Sequence, residues 1–151
     1  MSNCCFTLLF LVAVAPLSAG EGLPKPIQTK PGQTAHYVKV SASASKPDPS
    51  GKQLVTINLE IDSKIFLIAN PPGNDDFDLD MTTLRIEVEG EKIESKVHYP
   101  PGEKLKVDGL FQLQIYQKKA VITATVHRKP GDTRPLVAVT SMHGSQFVHR
   151  G

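Results

Sequence analysis

Apolar and polar residues alternate with a period of two along most of the chain from Val38 onward. The clearest stretch runs from Val55 to Ile61, where Val, Ile and Leu alternate with Thr, Asn and Glu. The same alternation recurs at residues 38–44, 84–88, 93–99, 111–115 and 120–126. Because successive side chains of a β-strand point to opposite faces, this period predicts strands that each bury one face.

Proline and glycine separate these segments and predict turns. A turn at Gly90-Glu91 predicts a hairpin that joins 84–88 to 93–99, whereas 100–109 has the punctuation of a loop. Lys64–Ala69 is a short apolar run, Leu136–Met142 is a last, more uniformly apolar strand, and no window has a helical period. The pattern predicts an all-β, immunoglobulin-like two-sheet sandwich of about seven to nine strands, with a barrel as the alternative.

The first twenty residues have the order of a signal peptide. An apolar run from Cys4 to Ala15, broken only by Thr7, is followed by small residues, although no Lys or Arg precedes it. Cleavage after Ala19 or after Gly20 is equally plausible, and an uncleaved N-terminal anchor is the alternative. The sequence thus predicts a signal peptide at 1–20, a Pro-rich arm at 21–33 and one domain at 34–151, exported to the periplasm or the extracellular space, with no membrane span after cleavage.

Composition narrows the function further. The only cysteines, Cys4 and Cys5, lie in the predicted signal peptide, so the mature chain has no thiol and no disulfide. A formal net charge of +2 and the absence of Trp argue against a nucleic-acid partner.

Three stretches, taken in order, resemble the N-terminal domain of the thiol:disulfide interchange protein DsbD. They are IDSKIFLIANPPGN at 61–74, KVHYPPG at 96–102 and YQKKAVITATV at 116–126. With their intervals they span nearly the whole predicted mature chain. The resemblance implies an immunoglobulin-like fold in the periplasm.

The same resemblance implies a redox cysteine pair after the last strand, where this chain has none. The former redox positions are predicted near Met142 and Phe147, with the 136–142 strand beside the strand that ends at Ala69-Asn70. A disulfide between introduced cysteines there would need Cα atoms about 4.4–6.8 Å apart. Disulfide exchange needs a thiolate, so the family's chemistry is not expected here.

Two regions suggest metal binding as an alternative function. In an extended chain Asp76, Asp78 and Asp80 would share one face and could offer carboxylates to Ca²⁺. Met142-His143 with His149 could offer thioether and imidazole groups to copper. The remaining histidines, His36, His98 and His127, have no zinc-type spacing.

The leading hypothesis is a non-enzymatic exported interaction module, without a cofactor, that binds another exported or membrane protein. It could be accessory to thiol–disulfide exchange carried out by other chains. Loops on a rigid scaffold carry recognition, so the predicted contact residues are Phe66, Asn70, Pro71 and Phe77. A third alternative is an enzyme whose mechanism leaves no recognisable sequence motif. The sequence has neither a nucleophile elbow nor a phosphate-binding loop.

Overall fold

The computed structural model describes residues 6–14, 37–107, 109 and 111–147, and for 6–14 and Val107 it describes the backbone alone. This part of the chain forms eleven strands. Their bounds are β1 Phe6–Val14, β2 Val38–Ala44, β3 Lys52–Ile61, β4 Ile65–Ile68, β5 Thr83–Val88, β6 Glu91–Lys92, β7 Ser95–His98, β8 Glu103–Val107, β9 Phe111–Tyr116, β10 Lys119–His127 and β11 Leu136–Gln146.

The strands form two antiparallel sheets that pack as a sandwich. In the four-stranded sheet the order is β2-β3-β10-β7. In the seven-stranded sheet the strands pair in the order β6-β5-β11-β4-β9-β8, and β1 also pairs with β11. The predicted two-sheet sandwich is confirmed and the barrel alternative is wrong. The strand count exceeds the expectation because β1 lies in the predicted signal peptide, β6 has only two residues, and β8 lies in the predicted loop.

The core lies between the sheets and follows the period of two. On β3 every second residue from Gln53 to Ile61 is buried, and β10 repeats the pattern. The register sets Ile57 opposite Ile122, and both are fully buried. The other sheet adds apolar residues from four strands: Ile65, Leu67, Leu84, Ile86, Val88, Tyr116, Leu136, Ala138 and Met142.

The predicted hairpin between 84–88 and 93–99 is only partly right. Val88 pairs with Glu91 across a two-residue turn at Glu89 and Gly90, whose φ angles of 52° and 82° fit the type I′ turn favoured in hairpins. The returning strand β6 ends at Lys92. β7 then pairs with β10 in the other sheet. Alternation shows that a strand exists but does not show which sheet it joins.

The loop predicted at 100–109 is wrong, because β8 occupies most of it. β8 pairs with β9 in a hairpin, with Leu105 opposite Leu113. Most of its described side chains are exposed, as expected for the last strand at a sheet edge. Its alternation covers only residues 104–107 and lies between two groups of turn residues, at 100–102 and 108–109, so the punctuation suggests a loop.

The apolar core of the predicted signal peptide is strand β1, which pairs antiparallel with β11 from Phe6↔Gly144 to Val14↔Leu136. Its removal as a signal peptide stays a prediction. The cleavage positions Ala19 and Gly20 and the 21–33 arm lie outside the described residues. Within the described ranges no helix is long and apolar enough to cross a bilayer.

Candidate interaction surface

The three sequence motifs that are far apart in the chain meet at the hydroxyl of Tyr116. This hydroxyl accepts a hydrogen bond from the Asn70 backbone N–H at 3.3 Å and donates one to the Pro100 carbonyl oxygen at 2.9 Å. A Cβ atom on Gly102 would lie 2.7 Å from the Ala69 Cβ, so the two motifs can pack this closely only with glycine there. Burial raises the pKa of Tyr116, which keeps the hydroxyl protonated as a donor.

Beyond this junction the chain from Ala69 to Met81 forms a closed loop, called here the Leu79 loop. Its ends are joined because the Thr82 N–H and the Thr82 hydroxyl both donate to the Ile68 carbonyl, at 3.0 and 2.7 Å. The Asn70 side-chain amide donates to the Thr82 carbonyl at 3.0 Å. The Gln114 N–H donates to the Pro72 carbonyl at 2.7 Å, which fastens the loop to β9. Closed, internally bonded loops of this type are often functional.

The aspartates of the Leu79 loop are not extended, so the geometry assumed for a calcium site is wrong. Asp75–Phe77 is a 3₁₀ turn, and the Asn74 side chain accepts a hydrogen bond from the Asp76 N–H at 3.0 Å. An asparagine at this position is a favoured cap, and acidic residues in the first turn complement it. Asp76, Asp78 and Asp80 therefore do not lie along one strand face.

The tip of the Leu79 loop exposes an apolar side chain. Leu79 is 94% exposed, and the other large apolar residue described as exposed is Leu54, at 45% on β3. Beside the tip, the ring of Phe77 packs on the ring of Phe111 with centroids 5.4 Å apart. Of the predicted contact residues in this loop, Pro71 is exposed and Phe77 is half-buried, whereas Asn70 uses its side chain to close the loop.

Phe66 belongs to a second aromatic pair. It alternates with the buried residues Ile65 and Leu67, so it points away from the core. Its ring packs against Phe147, with centroids 5.1 Å apart and planes tilted by 58°. The Phe147 N–H also donates to the Lys64 carbonyl at 3.1 Å. Phe147 is thus held against β4 by its backbone and by its ring.

The former redox positions do not approach each other. β11 pairs with β4 only through its last residues, from Gly144 to Gln146, whereas Val137–Ser141 pair with β5 and β1, so the predicted pairing of the 136–142 strand with β4 is wrong. β11 continues to Gln146, so Met142 and Phe147 are five positions apart along an extended chain, or about 17 Å at the rise of a strand. A disulfide cannot span this distance. The expectation that Met142 and Phe147 lie close together is wrong, and the argument for descent from a redox domain loses its geometric support.

Copper ligation by Met142 with His143 is also contradicted. Met142 is fully buried in the core, and His143, its neighbour on the strand, points to the opposite face. There the His143 Nδ1 lies 3.1 Å from a carboxylate oxygen of Asp80, which joins β11 to the Leu79 loop. No group of three or more His, Cys, Asp or Glu that could hold a metal occurs among the described residues. His36 and His149 lie outside the described residues.

A second long connection, the Arg128 loop from Arg128 to Pro135, holds a network of charges. The Arg128 side chain is 2% exposed and donates to an oxygen of Asp132 at 2.9 Å and to the Arg134 carbonyl. Arg134 pairs with the other Asp132 oxygen at 2.9 Å and with Glu89 at 3.0 Å. The hydrogen bonds from Arg134, with the nearby charges, hold the pKa of Asp132 well below its usual range.

Sequence reasoning missed Leu79 as the exposed tip. Phe77, Leu79 and Met81 alternate with aspartates and imitate a strand that would bury these three residues. The signal that distinguishes the two readings is Asn74 followed by Asp75 and Asp76, which marks the start of a helical turn. Such a turn breaks the alternation and releases Leu79 from the face that the pattern assigns to the interior.

The fold defines the class of protein as a two-sheet antiparallel β-sandwich domain. No protein-family model matches the chain, and no curated protein matches it. A solved structure that resembles it is the envelope protein VP37 of White Spot Syndrome Virus, with a TM-score of 0.50 and 11% sequence identity. The match covers 93% of this chain and 97% of that chain. At this identity the likeness shows a shared fold alone.

Proposed function

We propose that this chain is a non-enzymatic interaction module of the periplasm or the extracellular space, and that it binds another exported or membrane protein through the Leu79 loop. The observation that carries the proposal is the 94% exposure of Leu79 at the tip of a loop whose ends are hydrogen-bonded together. When a leucine enters an apolar pocket of a partner, its apolar surface is removed from contact with water. This removal is the main favourable term in protein association.

The exposure of Leu79 favours binding, and so do the hydrogen bonds that anchor the Leu79 loop. A loop that is already held by hydrogen bonds loses less conformational freedom when a partner binds, so more of the contact energy appears as affinity. The hydrogen bonds at Thr82, Asn70 and Gln114 restrict the loop before any partner arrives. Only side-chain rotamers at the tip then need to be ordered.

The charges around the tip indicate the chemistry of the partner. Asp75, Asp76 and Asp78 are exposed around Leu79. A matching surface has an apolar pocket for the leucine and basic residues at its rim, since complementary rim charges speed encounter and select partners. Pro71 and Phe77 border this surface. Phe66 belongs to a separate aromatic pair with Phe147, so we leave it out of the contact surface.

An accessory role in thiol–disulfide exchange is not part of this proposal. Such a role would draw on the resemblance to the DsbD N-terminal domain, and the separation of Met142 from Phe147 removes the geometric argument for it.

Affinity capture with matched leucine variants tests the proposal. The wild-type chain, Leu79→Ser and Leu54→Ser are immobilised and exposed to extracts of exported proteins and of membrane surfaces. The membrane extract is included because VP37 carries the name of an envelope protein. Leu54→Ser is the control, since it removes an exposed leucine from the other sheet.

We expect a protein that is retained by the wild-type chain and by Leu54→Ser and is lost from Leu79→Ser. Retention should fall as salt rises if basic residues rim the pocket, because exposed charges are screened. Equal retention by all three chains would contradict a role for the loop tip. No specific retention in either extract would contradict the function itself.

A further inference from the structure

β11 has a partner on both edges, and one partner comes from the N-terminal segment. Residues Val137–Ser141 pair with β5, and the same residues pair with Leu9–Ala13 of β1. A strand has only two hydrogen-bonding edges, so β1 and β5 must lie on opposite sides of β11 there. Without β1, the backbone N–H and C=O groups of β11 on that side would lose their partners.

The strand that fills this edge is the segment with the order of a signal peptide. Cleavage after Ala19 or Gly20 would separate β1 from the domain and leave backbone pairing as its attachment. An edge left open over most of an eleven-residue strand is a ready template for another chain. Processing of the N-terminus would therefore create a binding edge that the uncut chain keeps filled.

The register shows what kind of strand fits the edge. The buried positions of β11 include the small residues Gly144, Thr140 and Ala138. Their partners in the register are Phe6, Phe10 and Val12, all larger apolar residues. A second copy of β11 paired antiparallel about Thr140 would set Ala138 opposite Met142 and threonine opposite threonine, with less apolar bulk at the centre. The pattern favours a partner strand with bulky apolar residues at alternate positions.

We propose that, once β1 is removed, the β11 edge from Leu136 to Gly144 is a strand-addition site that binds an extended, alternately bulky apolar segment of a partner protein, antiparallel to β11. Recognition of this kind takes affinity from main-chain hydrogen bonds and specificity from alternate side chains. The inference rests on the proposed exported function and adds a second contact to it. The Asp80–His143 contact links the Leu79 loop to the same strand.

A strand-exchange assay tests the inference on a chain that has already folded. A protease recognition sequence is placed in the 21–33 arm, the full chain is folded, and the arm is then cut. A fluorescent synthetic peptide with the Phe6–Val14 sequence and a lysine tail is added in excess, and its binding is followed by anisotropy. The matched control peptide is N-methylated at Leu9, Phe10 and Leu11. Because N–H groups point to alternate edges, this control removes at least one donor to β11 whichever edge faces it.

We expect the peptide to replace β1 in the cut chain and to bind the uncut chain poorly. The methylated peptide should bind at least about tenfold more weakly, since each lost backbone hydrogen bond costs roughly 0.5–1.5 kcal/mol. Failure of the peptide to enter the cut chain would overturn the inference, as would equal binding of the methylated peptide. Dimerisation of the cut chain in place of peptide binding would assign the edge to a second copy.

The two proposals fail separately. Leu79→Ser should leave strand exchange unchanged, because Leu79 is not a residue of the β1–β11 ladder and is 94% exposed. If exchange fails while capture still depends on Leu79, the edge inference falls and the proposed function stands. If exchange succeeds while no protein is captured, the edge inference stands and the proposed function falls.

Discussion

The Leu79 loop and the Arg128 loop both connect one strand of the sandwich to another, but they leave different groups at the surface. In the Arg128 loop the charged side chains pair with one another, through Arg128, Asp132 and Arg134 with Glu89, although the buried Arg128 Nε has no partner among the described residues. In the Leu79 loop the polar groups near the base form the hydrogen bonds that close the loop, and the apolar side chain at the tip is exposed to solvent.

The Arg128 loop is therefore expected to stabilise the fold, whereas the tip of the Leu79 loop is positioned by the fold. Removing Asp132 would leave the buried guanidinium of Arg128 without its carboxylate partner, whereas Arg134 and Glu89 are more exposed. Removing the Leu79 side chain leaves nothing unpaired and opens no cavity. Stability is expected to depend on the first loop and recognition on the second.

Arg128→Ala is expected to have the largest effect on stability. The change removes hydrogen bonds to Asp132 and to the Arg134 carbonyl and the packing of a side chain that is 2% exposed. Hydrogen bonds to charged groups contribute about 1.5–3 kcal/mol each, so the free energy of unfolding should fall by about 2–3 kcal/mol. Urea denaturation measures it. Lys129→Ala, at an exposed neighbour, is the control, and an equal loss in both variants would refute the distinction.

Thr82→Val tests the closure of the Leu79 loop with a change of similar shape. The hydroxyl of Thr82 is fully buried and donates to the Ile68 carbonyl at 2.7 Å, while the backbone bond between the same residues remains. Loss of the hydroxyl bond should lower the free energy of unfolding by about 1 kcal/mol. It should also weaken capture of the partner by loosening the loop. The same substitution at the half-buried Thr125 of β10 serves as the comparison.

Asp132→Asn should change how stability depends on pH. Because the folded pKa of Asp132 is lowered, its contribution is full above the ordinary aspartate pKa and is lost as pH falls below about 4. The wild-type chain should therefore be more stable than the variant near neutral pH, and the difference should narrow on acidification. Melting temperatures across this range measure the difference. A gap that stays constant would show that the Asp132 charge does not stabilise the loop.

Leu79→Ser should have the smallest effect on stability. A side chain that is 94% exposed gains little from the fold, so the change in unfolding free energy should stay within about 0.5 kcal/mol. The same urea series measures it. A loss as large as that of Arg128→Ala would mean that Leu79 is packed in the folded chain, and its exposure could not serve recognition.

The parts of the fold with a buried face could be predicted from the sequence. β3 and β10 alternate because one face of each strand meets the core, and this requirement appears directly in the residues. The alternation in β8 spans only four residues, so this strand was missed. The move of β7 into the other sheet was missed as well, because sheet membership is decided by contacts between distant residues.

The candidate surface was only partly predictable for the same reason. Pro71 and Phe77 were predicted as contact residues because a rigid turn followed by an acidic stretch marks an exposed connection, and both lie in the Leu79 loop. The role of Asn70 depends on Thr82, and that of Tyr116 depends on Asn70 and Pro100; neither contact has a local signal. The continuation of β11 past Met142 depends on its pairing with β4, which the C-terminal sequence alone does not show.

Hydrogen exchange measured with and without the captured partner tests the central claim most directly, since it compares the two loops in one unaltered molecule. We predict that the backbone amides of the Leu79 loop around Asp78 to Asp80 become more protected from hydrogen exchange when the partner binds. Those of the Arg128 loop, from Lys129 to Arg134, should exchange at the same rate in both samples. Added protection in the Arg128 loop, with none in the Leu79 loop, would contradict the claim that recognition lies at Leu79.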